Sequence, residues 1–151
     1  MAGIFVLAEH RQGQMRDITF EMLTKGRELA DKTDSDLIAV ILGKGAQEMA
    51  KEVSEYAGKV ILIRGEELEN FNSEIYKRVL SSLIGEYDPF LILMGHTSYG
   101  VDLAPRLAAA SKIPLATDCI DLELDGEKLI VTRQMYGGKV NVKVAVRKAE
   151  K

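Results

Sequence analysis

Residues 89–110 read Pro89-Phe90-Leu91-Ile92-Leu93-Met94-Gly95-His96-Thr97-Ser98-Tyr99-Gly100-Val101-Asp102-Leu103-Ala104-Pro105-Arg106-Leu107-Ala108-Ala109-Ala110. The apolar run from Phe90 to Met94 stops at Gly95. A turn rich in glycine and hydroxyls follows, and then an Ala/Leu-rich helical pattern. This is a buried strand feeding a helix through a tight loop. In open α/β sheets such a loop lies at the carboxyl end of its strand, where ligands and partners dock.

Working outward, the same alternation recurs. Ile4 to Ala8, Leu37 to Leu42, Val60 to Ile63 and Phe90 to Met94 read as strands. Strands apolar at nearly every position are buried on both faces. Between them lie helical patterns. Asp17 stands as a cap for a helix with Ile18, Met22, Leu29 and Ala30 on one side. Ala46 to Tyr56 is a short helix ending near Gly58. Ser73 caps a helix with Ile75, Val79, Leu80 and Leu83 inward. A last helix covers Tyr99 to Ser111. Pro105 fits that helix in two ways. With Ser98 as cap it falls in the second turn and bends the helix; with a start at Asp102 it sits in the first turn at little cost. The earlier start is preferred, because Gly100 and Val101 otherwise lengthen the loop. Strand–helix alternation implies a mainly parallel sheet in a three-layer α/β/α sandwich.

The final third changes character. Leu122 to Leu124, Leu129 to Thr132 and Val140 to Val146 read as strands with no helix between them. Asp125-Gly126 and Gly137-Gly138 are turn signals. Val140, Val142, Val144 and Val146 alternate with polar or small residues, a period of two. An antiparallel β ribbon therefore extends the parallel sheet.

The 151 residues suffice for a single domain over 1–151. A net charge of −3 gives no electrostatic case for nucleic acid or a membrane surface. The start lacks a basic flank and cleavage site, and no apolar run is long enough to span a bilayer. The lone Cys119 excludes an internal disulfide and suits a reducing cytoplasm; with His10 and His96 it makes no convincing metal cage.

Residues Gly95 to Ala108 resemble a run in the N-terminal domain of the electron transfer flavoprotein alpha subunit. Leu115-Ala116-Thr117-Asp118-Cys119 follows at the family's distance. Thr132-Arg133-Gln134-Met135-Tyr136-Gly137-Gly138-Lys139 is similar to the family's Thr-Arg-Pro-x-Tyr-Gly-Gly-Asn, and Val6-Leu7-Ala8-Glu9-His10 also fits. Gln134 and Lys139 depart from the pattern. The resemblance implies a fold like the adenine-nucleotide alpha-hydrolase superfamily. It implies a two-domain alpha subunit whose C-terminal domain holds most FAD contacts, and a beta subunit that usually carries AMP. It further implies electron transfer from acyl-CoA or other dehydrogenases to a quinone reductase or another acceptor. Lys151 falls where the family's linker to the flavin domain would begin. The chain therefore reads as an isolated N-terminal domain with no FAD expected on it alone.

Candidate sites follow. Gly95, Thr97, Ser98 and Gly100 form a loop whose amides at a helix start suit a phosphate. They equally suit a plain cap and turn. A Walker pattern is absent. His96, with Asp118 or Asp102, would be needed for a hydrolase, and no nucleophile pattern marks one. Arg106 reads as a surface ion-pair residue and Cys119 as core packing. Arg133, Tyr136, Gly137 and Gly138 form a hairpin with residue types favoured at interfaces, and the resemblance makes it a contact surface for the flavin domain or beta subunit. A domain cut from an assembly should expose an apolar patch, through which a homodimer can form. The leading reading is a non-catalytic scaffold of an electron carrier; the alternative is an AMP/ATP-binding module using the Gly95–Gly100 loop.

Overall fold

The computed structural model describes residues 3–11, 14–43, 47–68, 70–95, 97–117, 119–125, 128–135 and 140–146. In chain order the main elements are β1 (Ile4–Leu7), a short hairpin of β2 (His10–Arg11) and β3 (Gln14–Met15), α1 (Asp17–Thr33), β4 (Leu37–Gly43), α2 (Gln47–Ser54) and β5 (Lys59–Arg64). A 3-10 turn (Glu66–Leu68), α3 (Ser73–Tyr87), β6 (Leu91–Leu93), α4 (Ser98–Ser111) and strands β7 (Cys119–Asp125), β8 (Lys128–Met135) and β9 (Val140–Val146) complete it.

Four parallel strands form the central sheet in the order β5-β4-β1-β6. All seven residues of β4 are buried, as an apolar strand covered on both faces must be. Its side chains divide by parity. Leu37, Ala39 and Ile41 join Ile4, Val6 and Ala8 in packing against Met22, Leu23 and Leu29 of α1 and Met49 and Val53 of α2. Ile38, Val40 and Leu42 join Phe5 on the other face, against Tyr76, Leu80 and Leu83 of α3 and Leu103 and Leu107 of α4. The period of two in the strands thus builds both cores of an α/β/α sandwich. Each fully buried leucine or isoleucine contributes about 1.5–3 kcal/mol.

Helix starts are displaced by one residue from the sequence expectation. Asn72, not Ser73, caps α3, its side-chain oxygen accepting from the amides of Glu74 and Ile75. Thr97, not Ser98, caps α4. Asp17 is the first residue of α1, and Arg16 before it makes no side-chain cap. In each case the neighbour takes the extended conformation that a cap needs, while the expected residue already turns with the helix. The early start of α4 is observed, with Pro105 inside the helix and exposed. α2 is shorter than expected, and Gly58 lies in the connection to β5. Helices α1, α3 and α4 close on Asp34, Asp88 and Lys112 in the left-handed region (φ 52°, 49° and 57°), with no glycine at these positions.

Strands β7, β8 and β9 are antiparallel. Among the described residues they pair only with one another, so the ribbon adds a sheet of its own and does not lengthen the parallel one. The reason lies in its apolar residues. Leu122 and Leu124 pack against the α1/α2 core, and Asp121 meets Lys25 of α1 at 2.8 Å. That hydrogen bond, opposed by partial burial, holds the Lys25 pKa above its usual value. The turns at Gly126 and at Gly137-Gly138 lie outside the described residues.

Candidate functional site: the crevice between β1 and β6

The chain builds outward from β1 through β4 to β5, then crosses back to place β6 on the other side of β1. The crevice outside the carboxyl ends of β1 and β6 is therefore the topological switch point, the favoured ligand position in such sheets. Gly95, Thr97, Ser98 and Gly100 all lie there, brought together as the last residues after β6 and the first turn of α4. The loop is tight. A Cβ placed on Gly100 would fall 1.8 Å from the carbonyl oxygen of Gly95, so only glycine allows this approach.

Opposite the loop stands Glu9, just past β1. Its backbone is fixed to the start of α1. The Glu9 amide donates to Thr19 Oγ1 (2.8 Å), the Thr19 hydroxyl lies 3.0 Å from the Glu9 carbonyl, and the Arg16 amide donates to that carbonyl at 2.8 Å. Thr19 is 0% exposed. The Glu9 side chain crosses the crevice, and its Oε1 accepts from the Thr97 hydroxyl at 2.5 Å. Thr97 Oγ1 in turn accepts from the Gly100 amide at 3.3 Å. Beside Glu9, the ring of His10 donates from Nε2 to the Leu42 carbonyl (2.5 Å), tying the exit of β1 to the end of β4.

The crevice has two parts. An open polar cleft of about 280 Å³ is lined by Glu9, Arg11, Arg16, Thr97, Ser98 and Tyr99. Beneath it an apolar hollow of about 20 Å³, among Leu7, Phe71, Tyr76, Met94, Tyr99 and Leu103, has room for roughly one water. Phe71 and Tyr99 fill the rest by stacking on each other, centroids 4.3 Å apart and planes 8° from parallel. The buried Tyr76 hydroxyl lies 3.2 Å from the carbonyls of Leu42 and Leu68, and burial, with Tyr99 nearby, pushes its pKa to about 12. A flavin ring does not fit this hollow: the aromatic faces that would hold it are already paired.

The remaining candidates separate. His96 and Asp118 lie outside the described residues. Asp102 is on the exposed side of α4, where the Ser73 hydroxyl and the Arg106 guanidinium hold its carboxyl below the usual range. Arg106 pairs with it at 3.1 Å, as a surface ion-pair residue should. Arg133 sits in β8 opposite Cys119 and Val142, while Tyr136, Gly137 and Gly138 lie outside the described residues. Tyr56, Tyr87, Val101 and Leu115 are exposed, each on a different segment. Among the described residues no three His, Cys, Asp or Glu side chains are placed to hold a metal, and no helix is long and apolar enough to cross a membrane.

Sequence reasoning missed Glu9 and Thr19 as site residues, and with them Arg11, Arg16 and the Phe71–Tyr99 stack. The one sequence signal at Glu9 was its place in the Val6–His10 motif.

Comparison with known proteins gives a consistent picture. A family model described as the electron transfer flavoprotein domain matches residues 4–149. The chain is 37% identical over 147 residues to the electron transfer flavoprotein subunit alpha of Syntrophomonas wolfei, covering 97% of this chain and 45% of that protein. It is 38% identical over 128 residues to the acryloyl-CoA reductase electron transfer subunit beta of Anaerotignum propionicum (84% and 35% covered). To the lactate dehydrogenase (NAD(+),ferredoxin) subunit LctC of Acetobacterium woodii it is 35% identical over 144 residues (94% and 34%). The chain thus spans less than half the length of these relatives. With a family model matched along nearly its whole length and alpha subunits among its relatives, this chain belongs to the electron transfer flavoprotein family.

Proposed function

We propose that residues 1–151 are one domain of an alpha subunit, the N-terminal one, and that it acts as a scaffold. It holds the FAD-binding part of the subunit and the beta subunit together in a cytoplasmic complex. That complex carries electrons from acyl-CoA or other dehydrogenases to a quinone reductase or another acceptor. The observation that carries this reading is the crevice. Where the fold offers a ligand site, the chain's own side chains engage its polar groups and fill its apolar hollow, with Glu9 on Thr97 and Phe71 on Tyr99. FAD then belongs to the longer protein and not to this domain. The hairpin with Arg133, Tyr136, Gly137 and Gly138 is the contact surface in this reading, supported by residue types common at binding hot spots.

Sedimentation velocity tests it. The chain, mixed with a matching beta subunit and the flavin-binding part of the alpha subunit, should migrate with them, and Arg133→Ala should weaken the complex about tenfold. Independent migration at micromolar concentration would remove the scaffold reading. The competing reading is an AMP or ATP module at Gly95 to Gly100. Its position at the switch point favours it. Near-stoichiometric nucleotide released on denaturing the purified chain would establish it.

A further inference from the structure

We propose that Glu9 is a resident anion. Its carboxylate fills the place at the switch point where a ligand's phosphate would otherwise sit, and so closes the crevice of this chain to nucleotides. Three observations carry this.

The first is position. The Glu9 carboxylate reaches the Thr97 hydroxyl, which also receives the Gly100 amide at the opening of α4. A hydroxyl and amides at a helix start are the groups that a phosphate oxygen would use. Here the Glu9 carboxylate takes the hydroxyl, and the hydroxyl takes the Gly100 amide.

The second is fixation. Glu9 is held by both of its backbone groups to Thr19. A flexible surface glutamate would lose rotamer freedom on entering such a contact, and a ligand could displace it. With its backbone pinned, Glu9 needs only its side-chain torsions to be set, so the carboxylate competes at high effective concentration.

The third is charge. Arg11 and Arg16 line the same cleft, and neither guanidinium has an ion-pair partner among the described residues. A cleft with two arginines and the hydroxyls of Thr97 and Ser98 suits an anion. Among the described residues that line it, the one anion is Glu9. The cleft therefore has the lining of a phosphate site and its own occupant, so removing the occupant should uncover the site.

The experiment is calorimetric titration of AMP and of inorganic phosphate into the chain and into Glu9→Ser and Glu9→Gln. The unsubstituted chain should give no binding at millimolar ligand. Glu9→Ser should bind at least about tenfold tighter than the unsubstituted chain, and adding Arg16→Gln should cancel the gain. Glu9→Gln keeps the size and can still accept from Thr97, so it should gain less than Glu9→Ser. Circular dichroism establishes that each variant folds. Nucleotide binding by the unsubstituted chain at millimolar ligand or below would by itself overturn the proposal, and that titration needs no variant. Folded variants that bind no better than the unsubstituted chain would overturn it equally. The scaffold reading is tested by complex formation, so the two can fail separately.

Discussion

Glu9 Oε1 and Thr97 Oγ1 lie 2.5 Å apart although 88 positions separate the two residues. The contact joins the exit of β1 to the start of α4, and so links the strand at the centre of the fold to the helix that leaves the edge strand β6. Thr97 makes two uses of one hydroxyl: it donates to Glu9 and accepts from the Gly100 amide. Thr97→Ala should therefore lower stability by about 1–2 kcal/mol, a cap and a charge-assisted bond lost together. Thr97→Ser keeps the hydroxyl and should stay close to the unsubstituted chain. Urea denaturation of the two variants checks this.

Two glycines give opposite signs. Gly100→Ala brings a methyl 1.8 Å from the Gly95 carbonyl oxygen, a contact that only backbone movement relieves. It should cost about 2 kcal/mol or more. Gly85, within α3, has nothing within 4 Å of a built Cβ and no positive φ. Gly85→Ala should stabilise by about 0.5–1 kcal/mol through the better helix propensity of alanine. Thermal melts of the pair decide it.

Thr19 is fully buried and satisfies the Glu9 amide. Thr19→Val keeps the shape and strands that amide, so it should cost about 1–3 kcal/mol. Hydrogen exchange should localise the loss to the Glu9 amide and the first turn of α1.

Tyr76 sets a limit at high pH. Its folded-state pKa of about 12 stands above the usual 10, so the folded state keeps a proton that the unfolded chain releases. The stability this provides is fully present below about pH 10 and is lost as pH rises towards about 12. Tyr76→Phe should remove that part of the alkaline loss and lower stability at neutral pH, because the bonds to the Leu42 and Leu68 carbonyls go with the hydroxyl. Denaturation midpoints of both proteins from pH 7 to 12 check the sign.

What the sequence shows best is what periodicity encodes. The unbroken apolar run of β4 announces a strand covered on both faces, and Leu80, Leu83, Leu103 and Leu107 fall inward at helical spacing as their pattern requires. Caps are legible only to within a residue. Asn72-Ser73 and Thr97-Ser98 each offer two capping side chains in succession, and the choice rests on backbone angles that composition does not reveal. The hairpin of β2 and β3 has two residues per strand, too few for any period to register. Asp34, Asp88 and Lys112 end helices without the glycine that would mark them. The Glu9–Thr97 contact is the deepest omission, since nothing local to either residue points to the other. It becomes visible only when the strand order brings β1 beside β6.

The ribbon of β7, β8 and β9 reaches the rest of the described chain through side chains, Leu122 and Leu124 against the core and Asp121 against Lys25. Contiguous backbone ladders tend to open as cooperative units that coincide with such motifs. Among the described residues the backbone ladders thus fall into two units, the parallel sheet and the ribbon, and the contacts between them run along α1. No backbone rung of the parallel sheet, among the described residues, is shared with the ribbon, so the crevice at the end of β1 and β6 is framed by the sheet and its helices alone.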